Sequence, residues 1–325
     1  MPQYIANPIY DTAFKYMMQN ERAAKVLISN LLDKEVDELQ ILANDIPVFE
    51  KDSLRILRLD FAAKIRDRNT DRTEIVTIEL QKAYSDSEVK RFRDYLASNY
   101  ANPRHTEKRR RMTVAKNRET GKYERVEVEE DVPLHIIAIY FLGSGFDDLI
   151  DSVAPVIYNF PQPVGIDGQP VKGIRDTLFF KALTHDTIVV RINKLKANAQ
   201  SKVEKMLEIF IQDDVSDSSK QLLEVKDIDT KSDEYRELAM PLALAAGDVE
   251  FRKKMSMEAY LSRLLQDSEY AQNEKEYYQQ LVSEQASQLQ EQKTQLQEKD
   301  SQLQEKDALI AEYQKLLASA GIIKK

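Results

Sequence analysis

Residues 134–142 read LHIIAIYFL. A strand with one wet face alternates apolar and polar side chains, so a run this uniformly apolar has to be covered on both faces. It is about half the ~18 residues that a membrane-spanning helix needs, and Gly143 and Gly145 close it. The run predicts an internal strand of a sheet with helices on either side.

The flanking sequence fits that layering. From Asn7 to Leu32, apolar residues such as Phe14, Met17, Met18, Val26, Leu27 and Leu31 recur at three- and four-residue steps, with Pro8 suited to a first turn. Segments 54–65 and 74–83 alternate as extended chain around a polar turn holding Asp67, Asn69 and Asp71, the pattern of a hairpin. Segment 85–100 returns to helical spacing, with Val89, Phe92, Leu96 and Tyr100 on one stripe, and Asn102-Pro103 stops it. After the apolar strand come a Pro- and Gly-rich loop (151–173), a further strand (187–192) and three helices (201–212, 235–246 and 249–266). This order predicts an α/β (α+β) core in residues 1–200 and a helical C-terminal region in 201–267.

The 325 residues include no Cys, which excludes a disulfide framework and thiolate-held zinc and fits a reducing compartment. Residues 1–20 carry no basic-then-apolar leader, and no window is apolar over the length of a bilayer. A cytoplasmic location and no membrane partner are expected. The net charge of −8, from 47 basic and 55 acidic residues, argues against a uniformly cationic coat for nucleic acid. A local exception is the basic loop, 103–131: between Arg104 and Arg125 it holds nine basic residues against Glu107, Glu119 and Glu124. It reads either as a solvated excursion or as a contact to the DNA backbone through Arg109, Arg110 and Arg111.

From about residue 268 the composition turns to Gln, Glu, Lys and Asp, and SQLQEQK-TQLQEKD-SQLQEKD repeats every seven residues. Val282, Leu289, Leu296, Leu303, Ile310 and Leu317 hold one heptad register, which predicts a long helix over 268–325. The second core position is mostly polar in either register. Both a solvated helix and a coiled coil joining copies of the chain into a homo-oligomer remain open.

Two carboxylates interrupt the apolar hairpin strands: Asp60 in LRLDFAAK and Glu79 in VTIELQKA. Alternation puts Asp60, Ala62 and Lys64 on one face of their strand and Glu79, Gln81 and Ala83 on one face of theirs. Paired, the two acids offer the oxygen ligands that Mg2+ takes from one or two carboxylates. Unpaired, they are charged residues on the wet face of a half-exposed hairpin. No Gly-rich phosphate loop, nucleophile elbow or HExxH spacing is present, and His105, His135 and His185 are far apart, with His135 placed to pack at the start of the apolar strand.

Four blocks, in order, carry a resemblance: NPIYDTAFKYMM at 7–18, RLDFAAKIRD at 58–67, IELQKA at 78–83 and RFRDYLASNYAN at 91–102. Together they resemble the PD-(D/E)XK nuclease family transposases, also called recombination-promoting nucleases. The resemblance implies a restriction-endonuclease-like core, a central mixed sheet flanked by helices, and a Mg2+-dependent DNA endonuclease, with Mn2+ able to stand in and DNA as partner. It makes Asp60 and Glu79 the metal ligands and puts Gln81 where the wider superfamily has a lysine. Asp11 matches the acidic residue of the first helix, one turn before Lys15. Gln81 can orient a water but cannot take its proton or supply charge, so a substitute cation is expected, and Lys64, on the face of Asp60, is the candidate. Arg91 either binds phosphate or pairs with Asp94 and Glu88 on a solvated helix face. The rival from another class is a catalytically silent DNA-binding or protein-interaction module that uses the same scaffold.

Overall fold

The computed structural model describes residues 3–42, 45–50, 53–58, 60–83, 86–117, 120–144, 152–197, 199–212, 221–225, 228–261 and 264. The heptad repeat lies outside them. The chain divides into two compact units, Met1–Ala259 and Tyr260–Lys325, and the first holds every strand described below.

A short strand, β1 (Gln3–Ala6), leads into two helices, α1 (Asp11–Gln19) and α2 (Glu21–Leu32). The sequence reads as one helical stretch here, but Asn20 divides it. Its backbone is extended and its side chain accepts the N–H groups of Arg22 and Ala23, capping α2 where α1 stops. Then come β2 (Val36–Ile41), the hairpin of β3 (Asp45–Glu50) with β4 (Ser53–Arg58), and β5 (Phe61–Asp67) with β6 (Thr73–Ala83). Segment 54–65 is thus not one strand. β4 ends at Arg58, Asp60 sits at a bend, and β5 starts after it.

Next along the chain are α3 (Asp86–Ala101), the paired strands β7 (Thr106–Lys116) and β8 (Tyr123–Pro133), and β9 (His135–Ser144). The sheet has six strands in the order β10-β11-β9-β6-β5-β2, where β10 is Val156–Asn159 and β11 is His185–Arg191. β6, β9 and β11 run parallel, while β2, β5 and β10 are antiparallel to their neighbours, so the sheet is mixed. The apolar run at 134–142 lies inside it, in β9 between β6 and β11, with Ile136, Ile137, Ala138, Ile139 and Phe141 all buried.

Each face of the sheet has its own cover. α1, α2 and α6 (Asp233–Gly247) pack on one face, where Phe14 meets Phe141 at 5.8 Å and Phe210 at 6.4 Å between ring centroids. Burying each such ring stabilises the fold by about 2–3 kcal/mol before entropy is counted. α3 covers the other face, setting Phe92 and Tyr95 against Ala62 and Leu142. A short helix, α4 (Leu178–Leu183), precedes β11, and α5 (Lys202–Leu207) follows it. β12 (Leu222–Val225) then pairs antiparallel with β1, so the region after residue 200 packs into the same unit as the sheet. The helix at 249–261, α7, closes the unit with buried Met255 and with Phe251 edge-on to Tyr16 at 5.0 Å. Among the described residues no helix is long and apolar enough to cross a membrane.

The basic loop is not a loop. Residues 106–116 and 123–133 form a two-stranded antiparallel ribbon that, among the described residues, pairs with no other strand. The basic strand lies beside the acidic segment VEVEED, and the register sets Arg109 across from Glu130 and Arg110 across from Glu129. Opposite charges facing across a ladder stabilise it, which composition within 104–125 alone does not reveal.

Candidate metal centre

The register of the β5–β6 hairpin builds the site. Phe61 pairs with Ile78, so extending the register by one residue places Asp60 across from Glu79. The contact is reciprocal through the backbone: the N–H of Leu80 donates to Asp60 Oδ2 at 2.7 Å, and the N–H of Asp60 donates to the Glu79 carboxylate. A side chain that takes a neighbouring strand's N–H competes with the regular ladder, which accounts for the bend at Asp60.

Neither acid is on a wet face. Glu79 is 4% exposed and the Asp60 side chain 15%. Glu79 Oε1 is buried without a hydrogen-bond partner. Burial, the largest cause, pushes the Asp60 carboxyl up to about 7; a hydrogen bond with Asp11 adds to this and the Leu80 N–H opposes it. Glu79 is driven well above the usual carboxylate range, first by burial and then by the charge of Asp60, with Arg91 and Lys15 opposing. Beside it in the parallel register, Tyr140 has its hydroxyl pushed up by burial and by Glu79. Two desolvated carboxylates facing one another favour the uptake of positive charge, whether as a proton, a metal ion or a neighbouring cationic side chain.

α1 delivers the rest of the site. Asp11 and Lys15 stand one turn apart, with Lys15 Nζ 2.7 Å from Asp11 Oδ1 and 3.5 Å from Asp60 Oδ1. Burial works against the charge of Lys15, but its bonds to Asp11 and Asp60 and their charges outweigh it and hold the ammonium pKa above its ordinary value. The first turn of α1 is fixed by Glu258 of α7, whose two carboxylate oxygens accept the N–H groups of Asp11 and Thr12 at 2.9 and 3.0 Å. A carboxylate there also complements the positive end of the helix dipole. Exposure rises outward, from 15% for Asp60 through 22% for Lys15 to 48% for Asp11, so the site opens to solvent along α1.

α3 contributes Arg91, whose Nη2 donates to Gln81 Oε1 at 2.7 Å while the guanidinium lies 5.7 and 5.9 Å from the rings of Phe92 and Tyr95. With the amide oxygen of Gln81 turned to a guanidinium, its NH2 group is the end left for another partner.

The other expected site residues lie elsewhere. Lys64 is four residues along β5 from Asp60, about 13 Å at strand rise, and its charge is felt by His105. Arg109 pairs with Glu107 at 3.0 Å and Arg111 with Glu130 at 2.6 Å on the ribbon, where Lys108 also meets Asp131 at 2.9 Å. His135 packs between the Lys181 carbonyl and Asp186, His105 contacts the Asn99 carbonyl, and His185 meets the Tyr100 hydroxyl.

The donor set fits a hard divalent cation of the Mg2+ class: two carboxylates on adjacent strands, one with an unpartnered buried oxygen. Among the described residues no three His, Cys, Asp or Glu side chains group closely enough to hold a metal by themselves. Water and a substrate phosphate would have to complete the shell, as is usual for Mg2+. Lys15 and Glu258 are the site residues that sequence reading leaves without a role. The spacing of Asp11 and Lys15 signals the first, and nothing in the sequence signals the second. Comparison with protein-family models, curated proteins and solved structures returns no match for this chain.

Proposed function

We propose that the chain is a divalent-metal-dependent DNA endonuclease acting in recombination or on mobile elements, built on a restriction-endonuclease-like core. The observation that carries the reading is the buried, mutually repelling pair Asp60 and Glu79, opposed across a hairpin and opening to solvent beside Lys15. The four-block resemblance selects DNA among phosphodiesters.

Asp60 and Glu79 would hold Mg2+, which supplies a water of lowered pKa and neutralises charge on the scissile phosphate. Asp60 can offer a lone pair of Oδ1, the oxygen that also faces Lys15 at 3.5 Å, while Glu79 can offer the unpartnered Oε1. Gln81, its amide oxygen fixed by Arg91, presents N–H donors to a water or a phosphate oxygen. Arg91, stacked on two rings and joined to Gln81, adds positive charge behind it. On the ribbon Arg109 pairs with Glu107, Arg111 pairs with Glu130 and Arg110 stands across from Glu129, so a DNA phosphate would compete with these acids for the three arginines. The 268–325 repeat is proposed to join two chains, since one such site cuts one strand and a double-strand break needs two.

The test is cleavage of supercoiled plasmid at low salt by the purified full chain with Mg2+, Mn2+ or EDTA, beside Asp60→Ala and Glu79→Ala proteins shown to be folded. Metal-dependent nicking or linearisation, reduced at least 100-fold in both variants, is the expected outcome. A folded wild type that leaves plasmid intact with either metal points instead to a silent binding module.

A further inference from the structure

We propose that Lys15 is a catalytic residue of this site: its ammonium binds the scissile phosphate beside Asp60 and supplies the positive charge that Gln81 lacks. The inference rests on the reading of the acids as a phosphodiesterase centre and adds to it the group that meets the substrate.

The geometry leaves few candidates. Gln81 is neutral and its oxygen is committed to Arg91. Arg91 belongs to the face of α3 and lies against Phe92 and Tyr95. Lys64, about 13 Å along the strand, is too far to share a phosphate with Asp60. Arg91 acts on Glu79 from the α3 side, whereas Lys15 stands 3.5 Å from Asp60 Oδ1, on the side that opens to solvent. An ammonium has three N–H donors. Lys15 forms ion pairs with Asp11 at 2.7 Å and Asp60 at 3.5 Å, and its ammonium can also meet a phosphate oxygen arriving from the open side.

The side chain is also held in place. Ala13, Phe14, Met17 and Met18 of α1 are buried against the sheet, and Glu258 clamps the first turn of the helix. A cation fixed in this way costs little reorganisation as charge develops, which is what makes preorganised charge effective in catalysis.

The reaction balances with water as the only co-reactant. The water oxygen bonds to phosphorus and its proton passes to solvent, while the phosphorus–oxygen bond to the departing sugar breaks and that oxygen takes up a proton. Lys15 forms and breaks no bond. It neutralises the non-bridging oxygens as the transition state gathers charge.

The experiment measures single-turnover plasmid cleavage with Mg2+, together with Mn2+ binding by calorimetry, for the full-length wild type, Lys15→Met, Lys15→Gln, Lys15→Arg and Asp60→Ala. In Lys15→Met and Lys15→Gln the cleavage rate constant is expected to fall by about 100-fold or more, with Mn2+ binding retained and the melting temperature close to wild type. Lys15→Arg should recover part of the rate. Two neutral variants are used so that poor folding of one leaves the other to decide. Wild-type rates in either folded neutral variant, while Asp60→Ala is inactive, would overturn the role of Lys15 and leave the nuclease standing. A wild type that does not cleave removes both.

Discussion

Asp60 and Glu79 make the metal-free protein less stable as pH rises, against His105 and His185, whose rings burial holds below their ordinary value. A carboxyl raised to about 7 by burial binds its proton more tightly in the folded chain than in the unfolded one, whose ordinary value is about 4. Between those values this carboxyl is the more protonated in the native state, so its contribution to stability falls as pH rises from about 4 through about 7. Glu79, pushed up by burial and by Asp60, adds in the same direction. Urea unfolding with EDTA present should give a lower free energy at pH 8 than at pH 5. Asp60→Asn should flatten that slope and stabilise the metal-free chain at pH 8 by on the order of 2 kcal/mol; a wild-type slope in this variant would show that the carboxyl is not desolvated. The sequence made the acids visible as interruptions of apolar strands, and the hairpin made their pairing legible. The cation was not legible. Lys64 shares a strand face with Asp60, but strand rise carries it away, whereas Lys15 arrives from a helix some 45 residues earlier through tertiary packing.

At the scale of elements, the pairing of β7 with β8 bears on the proposed contact with DNA. Three free arginines on phosphates would steepen the salt dependence of binding by about 2.7 in log–log slope. Arg109, Arg110 and Arg111 stand beside Glu107, Glu129 and Glu130, so replacing all three by Ala should change the slope by less than about 1, measured by fluorescence anisotropy from 50 to 200 mM salt. A change near 2.7 would mean that the acids release them to DNA. β9, both faces covered, was readable because composition alone settles a strand buried on both sides. α3 was readable as a helix, but only half of its apolar stripe faces inward, with Phe92 buried and Leu96 packed on the core. Tyr95 and Asn99 are buried while Val89 and Tyr100 are 40% and 42% exposed. Asn99 tolerates burial because its side-chain amide donates to the Tyr95 carbonyl at 2.8 Å, and an apolar stripe cannot count a polar residue satisfied in that way. The ribbon was missed because the basic strand was weighed without the acidic one that follows it.

In the molecule as a whole, the site depends on parts far apart in sequence. α1 supplies Asp11 and Lys15, the hairpin the carboxylates, α3 Arg91, and α7 the Glu258 clamp. The layering follows from local pattern, but β12 returning to β1, which draws the region after residue 200 into the first unit, rests on contacts that no local pattern encodes. The proposal that depends on all of these parts is that the buried acids hold a divalent cation. Calorimetric titration of Mn2+ into the EDTA-stripped full chain at pH 8, for wild type and Glu79→Gln, tests it most directly. The expected result is one saturable site per chain in the wild type, weakened by protonation below about pH 7 and lost in Glu79→Gln. Equal binding by both proteins, or none by a folded wild type, would contradict it.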